Sequence, residues 1–181
     1  MAVPAATIST RERILQTAAE LFAVRGFSSA SLQNVADQLG ITKAALYYHF
    51  DSKDEILLTI LRPYFDAADE FLERYAGSAP ASHDLLTEYA DLLLEHRTAL
   101  DVIAYDRSVL NHPEIGEIAH QQTIRLRGLL TGPSPTMESE VAAAAALGAI
   151  RSATASLRTS GQPDVRAAVL RAALAALATG V

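Results

Sequence analysis

The sequence predicts an all-α protein. Apolar residues recur at helical spacing from about residue 10 onward, and no segment alternates apolar and polar residues as a half-buried strand would. Capping residues and glycines also punctuate the chain at helix-length intervals. The 181 residues are 50% hydrophobic and 20% charged, which is enough to build a core and excludes a disordered tail or a fibre. There is no cysteine, so disulfides, thiol catalysis and cysteine metal sites are excluded.

The elements follow in order. Ile14, Leu15, Ala18, Leu21 and Phe22 form one stripe of a helix over about 10–24. Ser9 with Glu12 fits a capping box at its start, and Gly26 ends it. A helix over 31–39 carries Leu32, Val35, Ala36 and Leu39 on one face and stops at Gly40. A third runs from Thr42 to about His49. Ser52 with Glu55 is a second capping-box match and opens a long helix to about Tyr75. Further helices are expected near 83–97, 99–110, 114–130, 137–159 and 164–178, with Pro113 suited to a first turn. The breaks are the Gly77–Pro80 loop, the Thr131–Pro135 run, and Gly161 with Pro163.

The stretch Met1–Ala6 has neither the basic flank nor the apolar core of a signal peptide, and Val141–Ile150, the longest apolar block, is too short to span a membrane. A soluble, cytoplasmic protein is expected.

Two short helices joined by a glycine turn, after a supporting helix, describe a helix-turn-helix. On a helical wheel Ala45, Leu46 and His49 fall on one side, and Lys43, Ala44, Tyr47 and Tyr48 on the other. The second set suits a major groove. Lysine reaches guanine acceptors or phosphate, alanine permits close approach and touches a thymine methyl, and tyrosine hydroxyls donate to phosphates. Thr42 and Ser31, at the two helix starts, are placed to hold phosphates, and Lys53 would add another phosphate contact.

The runs Gly26-Phe27, Leu32 to Lys43, Ala44 to Phe50 and Ser52 to Leu57 resemble the DNA-binding region of the TetR (tetracycline repressor) family, over roughly residues 10–60. The Leu-Tyr-Tyr-His-Phe run followed by a lysine is the specific part. The resemblance implies an N-terminal three-helix DNA-binding domain over 1–51 and a C-terminal helical effector-binding and dimerisation domain over 52–181. It implies DNA-contact roles for Thr42, Lys43, Ala44, Tyr47, Tyr48, His49 and Lys53. The family often has threonine at the position of Ala30 and glycine at that of Ala44. Each residue also has an ordinary alternative: Tyr47 and Tyr48 as half-buried aromatics, His49 as a helix C-cap, Lys53 as a solvated charge.

Fifteen alanines fall within residues 142–178, with Leu147, Ile150, Leu157, Leu170 and Leu174 among the larger apolar groups. This segment reads either as an intramolecular hairpin or, as the resemblance implies, as a homodimer interface built from those leucines and the isoleucine. A ligand pocket is expected between helices of such a bundle. Its candidate lining is Tyr89, His96, Tyr105, His120 and Arg125, each also readable as a surface or structural group. His112, Glu114 and His120 match no metal-binding spacing, and no cofactor is called for.

The expected function is a homodimeric DNA-binding repressor, released from a palindromic double-stranded operator by a small-molecule effector. The formal charge of −6 keeps a second reading open, a helical binding or scaffolding protein without specific DNA binding. Residues 1–62 hold six basic and six acidic groups, so the remaining 119 residues carry the whole negative charge. Both lysines of the chain, Lys43 and Lys53, lie in the neutral segment. No nucleophile–base pair or phosphate loop supports an enzyme.

Overall fold

The computed structural model describes residues 8–156 and 163–178. Among them there is no strand; nine α-helices and one 3-10 helix carry the fold. The helices are α1 (Thr10–Arg25), α2 (Leu32–Leu39), α3 (Lys43–Tyr47), α4 (Lys53–Arg74), α5 (Ser82–Glu95), α6 (Arg97–Tyr105), α7 (Pro113–Thr131), α8 (Met137–Ser156) and α9 (Pro163–Ala178). The 3-10 helix, Arg107–Asn111, lies between α6 and α7.

Local chemistry sets the boundaries. The Ser9 hydroxyl accepts from the Glu12 amide, while the Glu12 carboxylate takes the Ser9 amide at 2.8 Å, a complete capping box. At α4 half of the expected box forms. Ser52 accepts from the Glu55 amide, but the Glu55 carboxylate reaches the Asp51 amide instead. Gly40 ends α2 at φ +67°, the left-handed conformation that glycine adopts without penalty. Pro113 opens α7 as expected. The single helix expected over 99–110 is instead broken at Asp106, whose carboxylate accepts from the Ser108 amide and starts the 3-10 helix. The hairpin break around Gly161 lies outside the described residues.

Two hydrophobic cores run the length of the fold. The first joins α1, α2 and α3 to the N-terminal half of α4 and includes Val102, Val109 and Ile115 from beyond residue 52. The second joins the C-terminal half of α4 to α5, α7, α8 and α9. A boundary at 51/52 therefore falls in the turn before α4, while α4 itself contributes to both cores. Gln122 on α7 is buried and donates to the Phe65 carbonyl of α4 at 2.9 Å. Pro63, inside α4, has no amide to offer the Thr59 carbonyl.

Candidate nucleic-acid interface and cavity

α3 has five residues, far below the roughly 12–15 at which an isolated helix becomes even marginal. It is held by Leu46, fully buried, and by Phe50 just beyond it, with the Arg11 guanidinium 4.5 Å from the Phe50 ring. The opposite side is open. Lys43, Ala44, Tyr47 and Tyr48 are all exposed, Tyr48 to 87% and Tyr47 to 45%. Two adjacent tyrosines so far out of the core are held there by the inward anchors, not by packing of their own. The Lys43 ammonium lies 5.7 Å from the Tyr47 ring, and His49, half-buried, meets Tyr48 edge-on. Ala45, which the wheel put on the inner side, is exposed.

The two capping hydroxyls differ in what they have left to give. Thr42 accepts from the Ala45 amide at 3.1 Å, so its proton is free to donate. Ser31 is committed. Its hydroxyl and amide both donate to the Asn34 side chain, and its oxygen accepts from the Asn34 amide.

Lys53 does not extend to solvent as a phosphate ligand would. Its ammonium donates to the carbonyls of Phe27 and Ala30, at 2.8 and 3.0 Å, and sits 4.3 Å from the Phe27 ring. It pins the α1–α2 turn to the head of α4. Asp106 pins the same turn from the other side by accepting from the Ser28 amide at 2.8 Å. Hydrogen bonds from Ser108 and then Ser28 hold its carboxyl down at about 2.

A cavity of about 510 Å³ lies among α4, α5, α6, α7 and α8. Phe65, Phe71, Leu72, Leu92, Leu100 and Leu126 give it apolar walls. Of the five residues expected to line it, Tyr89 does. Tyr105 and His120 are exposed, and His96 lies tilted beside Tyr64, its ring centroid 6.1 Å away, without reaching the lining. Arg125 turns away to pair with Asp69 and Glu73 on the outside of α4. The polar lining is instead Tyr64, Arg107, Gln122, Thr123, Arg151 and Ser152. Arg151 carries one sequence signal of its place: it is a cation four residues from Leu147 and three from Thr154, on their buried stripe.

Leu147, Ile150 and Leu170 are buried in the chain's own second core, with Leu174 packed against it. Buried side chains cannot line a contact with a second copy, so Leu147, Ile150 and Leu170 are core residues, while Leu174 is partly buried. Leu157 lies outside the described residues. The exposed faces of this hairpin carry Val141, Ala144 and Ala145 on α8, and Ala168, Ala172 and Ala175 on α9. Among the described residues no His, Asp or Glu cluster could hold a metal, and no helix is long and apolar enough to cross a membrane.

Fold and exposed face together define a helix-turn-helix with a second helical body. Residues 14–60 match the sequence model of the bacterial regulatory proteins of the tetR family. That segment is similar to the DNA-binding region of the TetR family of transcriptional regulators. The chain is 32% identical over 116 residues to the HTH-type transcriptional repressor KstR2 of Mycolicibacterium smegmatis, a match spanning 58% of this chain and 53% of that protein. It is 43% identical over 54 residues to the uncharacterized HTH-type regulator YerO of Bacillus subtilis, spanning 30% of this chain and 19% of that one. The matched region is thus about half the length of the first relative and less of the second. In fold it is similar to the ketosteroid transcriptional regulator KstR2 of Mycobacterium tuberculosis, with a TM-score of 0.74 at 19% identity over 95% of both chains. A TetR-family regulator from Bordetella parapertussis gives the same TM-score at 20% identity, over 94% of this chain and 95% of that one.

Proposed function

We propose that the protein is a homodimeric transcriptional repressor that holds a palindromic DNA operator and leaves it when a small molecule enters the cavity. The observation that carries this is the outward face of α3, with Lys43, Tyr47 and Tyr48 exposed on a helix anchored by Leu46 and Phe50. Lys43 and Ala44 approach base edges; Thr42, Tyr47 and Tyr48 donate to phosphates; His49 supports Tyr48 from its flank. Ser31 and Lys53 position the motif instead of touching DNA. Two copies of α3 must then sit in successive major grooves, about 34–36 Å apart. The exposed alanine faces of α8 and α9 supply the two-fold contact. A ligand in the cavity favours a dimer whose α3 spacing no longer fits, which is a population shift between two states.

Selection of DNA fragments from the source genome on the purified protein, followed by sequencing, tests this. The expected result is enrichment of an inverted repeat with half-sites about one helical turn apart, or a multiple of it. Fragments recovered in proportion to input would instead favour the binding-protein reading.

A further inference from the structure

The cavity contains a cation with no counter-charge. Arg151 reaches inward from α8; its Nε donates to the Tyr89 hydroxyl and its Nη2 to Thr123 Oγ1 at 3.3 Å. Both partners are neutral, and Arg151 forms no ion pair among the described residues. Other arginines are treated differently. Arg74, Arg97, Arg125, Arg127 and Arg166 each pair with a carboxylate nearer the surface. Arg151 and Arg107 are the charged residues of the cavity lining, which holds no Asp or Glu.

A guanidinium partly removed from water is costly unless an anion compensates it. It has five N–H donors in a planar fork, and two are committed here. The Nη1 edge is left, and a bidentate carboxylate matches that geometry. The neighbouring phenols assist. Burial, followed by the neighbouring Tyr89, pushes the Tyr64 hydroxyl well above its ordinary value. Tyr64 therefore stays a neutral donor and adds no charge to repel an anion. The remaining walls are aromatic and aliphatic.

We propose that the cavity takes an apolar organic acid, its carboxylate on the free edge of Arg151 and its hydrocarbon body against Phe65, Phe71, Leu92 and Leu126. The volume is within the usual range of about 300–1,000 Å³ for a small-molecule site. Arg107, exposed at the edge of the lining, draws the anion in. This rests on the effector reading above only for its regulatory consequence, since binding itself requires no DNA.

The test is calorimetric titration of the full chain, without DNA, with decanoate and the ring-bodied cyclohexanebutanoate. Decan-1-ol and decylamine serve as neutral and cationic counterparts. At least one carboxylate is expected to bind about tenfold or more tighter than the alcohol and the amine. Arg151→Gln should weaken that carboxylate at least about tenfold and leave the alcohol unchanged. Arg151→Lys, which keeps the charge without the fork, should fall between and serves if the glutamine variant fails to fold. No carboxylate binding, equal binding of alcohol or amine, or unchanged carboxylate affinity in folded variants would overturn the proposal. Adding the bound carboxylate to protein on its selected DNA separates the two readings. Binding without release leaves this site standing and removes effector release; DNA binding without any carboxylate binding does the reverse.

Discussion

Lys53 ties the head of α4 to the turn before the motif, and this assigns it a measurable role different from that of Lys43. The Lys53→Met variant keeps the apolar stem and loses two charge-assisted hydrogen bonds. It should cost about 1–3 kcal/mol of unfolding free energy, read by urea denaturation. Lys43→Ala should leave stability nearly unchanged. If the Lys43 ammonium meets a phosphate, that variant lowers the slope of log K against log salt by about 0.9 per subunit, whereas Lys53→Met should barely change it. Asp106 is the matching clasp on the other side of the turn. Its folded pKa of about 2 lies below its ordinary value of 3.8. Its contribution is thus fully present above pH 4 or so and is lost as pH falls through about 2. Urea titrations of wild type and Asp106→Asn should differ at pH 7, and the difference should shrink between about pH 4 and pH 2. The sequence marked Lys53 as important but could not assign its partners. The Phe27 and Ala30 carbonyls lie more than 20 residues away, in a turn whose path depends on Gly26 at φ +83°.

Among the elements, α4 links the two ends of the molecule. Lys53 is at its head, and Tyr64, Phe65, Ala68, Phe71 and Leu72 line the cavity along its second half. A shift of its cavity-lining half can thus reach the α1–α2 turn through its own rigid length. Pro63 stands between the two halves. A second route runs through α6, where Ile103 and Ala104 line the cavity and Asp106 holds Ser28. The 3-10 helix sits tightly on α7. A Cβ at Gly116 would come within 2.5 Å of the Leu110 carbonyl oxygen. Gly116→Ala must therefore push backbone apart, and a loss of about 1–3 kcal/mol is expected in thermal or urea unfolding. The outward face of α3 was legible from spacing, because Leu46 and Phe50 are strong apolar markers on a short helix. The cavity was not. α8 is so rich in alanine that its wheel has little contrast, and tertiary contacts, not local pattern, decide that Leu147 enters the core while Gly148 and Arg151 line the cavity. The same lack of contrast put core leucines in the expected interface.

Over the whole molecule, charge and symmetry set how DNA is approached. The negative charge lies in residues 63–181, and the segment with α3 is neutral. An acidic body repels duplex DNA at long range and leaves binding to a few placed contacts. Affinity for random duplex should therefore be weak at physiological salt, with a shallow salt slope. The proposed two-fold contact makes its own prediction. Wild type should sediment as a dimer at micromolar concentration, and Ala145→Arg, on the exposed face of α8, should shift it toward monomer. A monomeric wild type would remove the palindrome from the account.

The most direct measurement is a footprint on the selected DNA of wild type and of the Lys43→Ala, Tyr47→Ala double variant, with folding checked by circular dichroism. Both substitutions are on exposed positions, so the fold should survive them. The account predicts a two-fold protected site for wild type and its loss in the folded double variant. An unchanged footprint from that variant would contradict it, because the DNA would then be held by some surface other than α3.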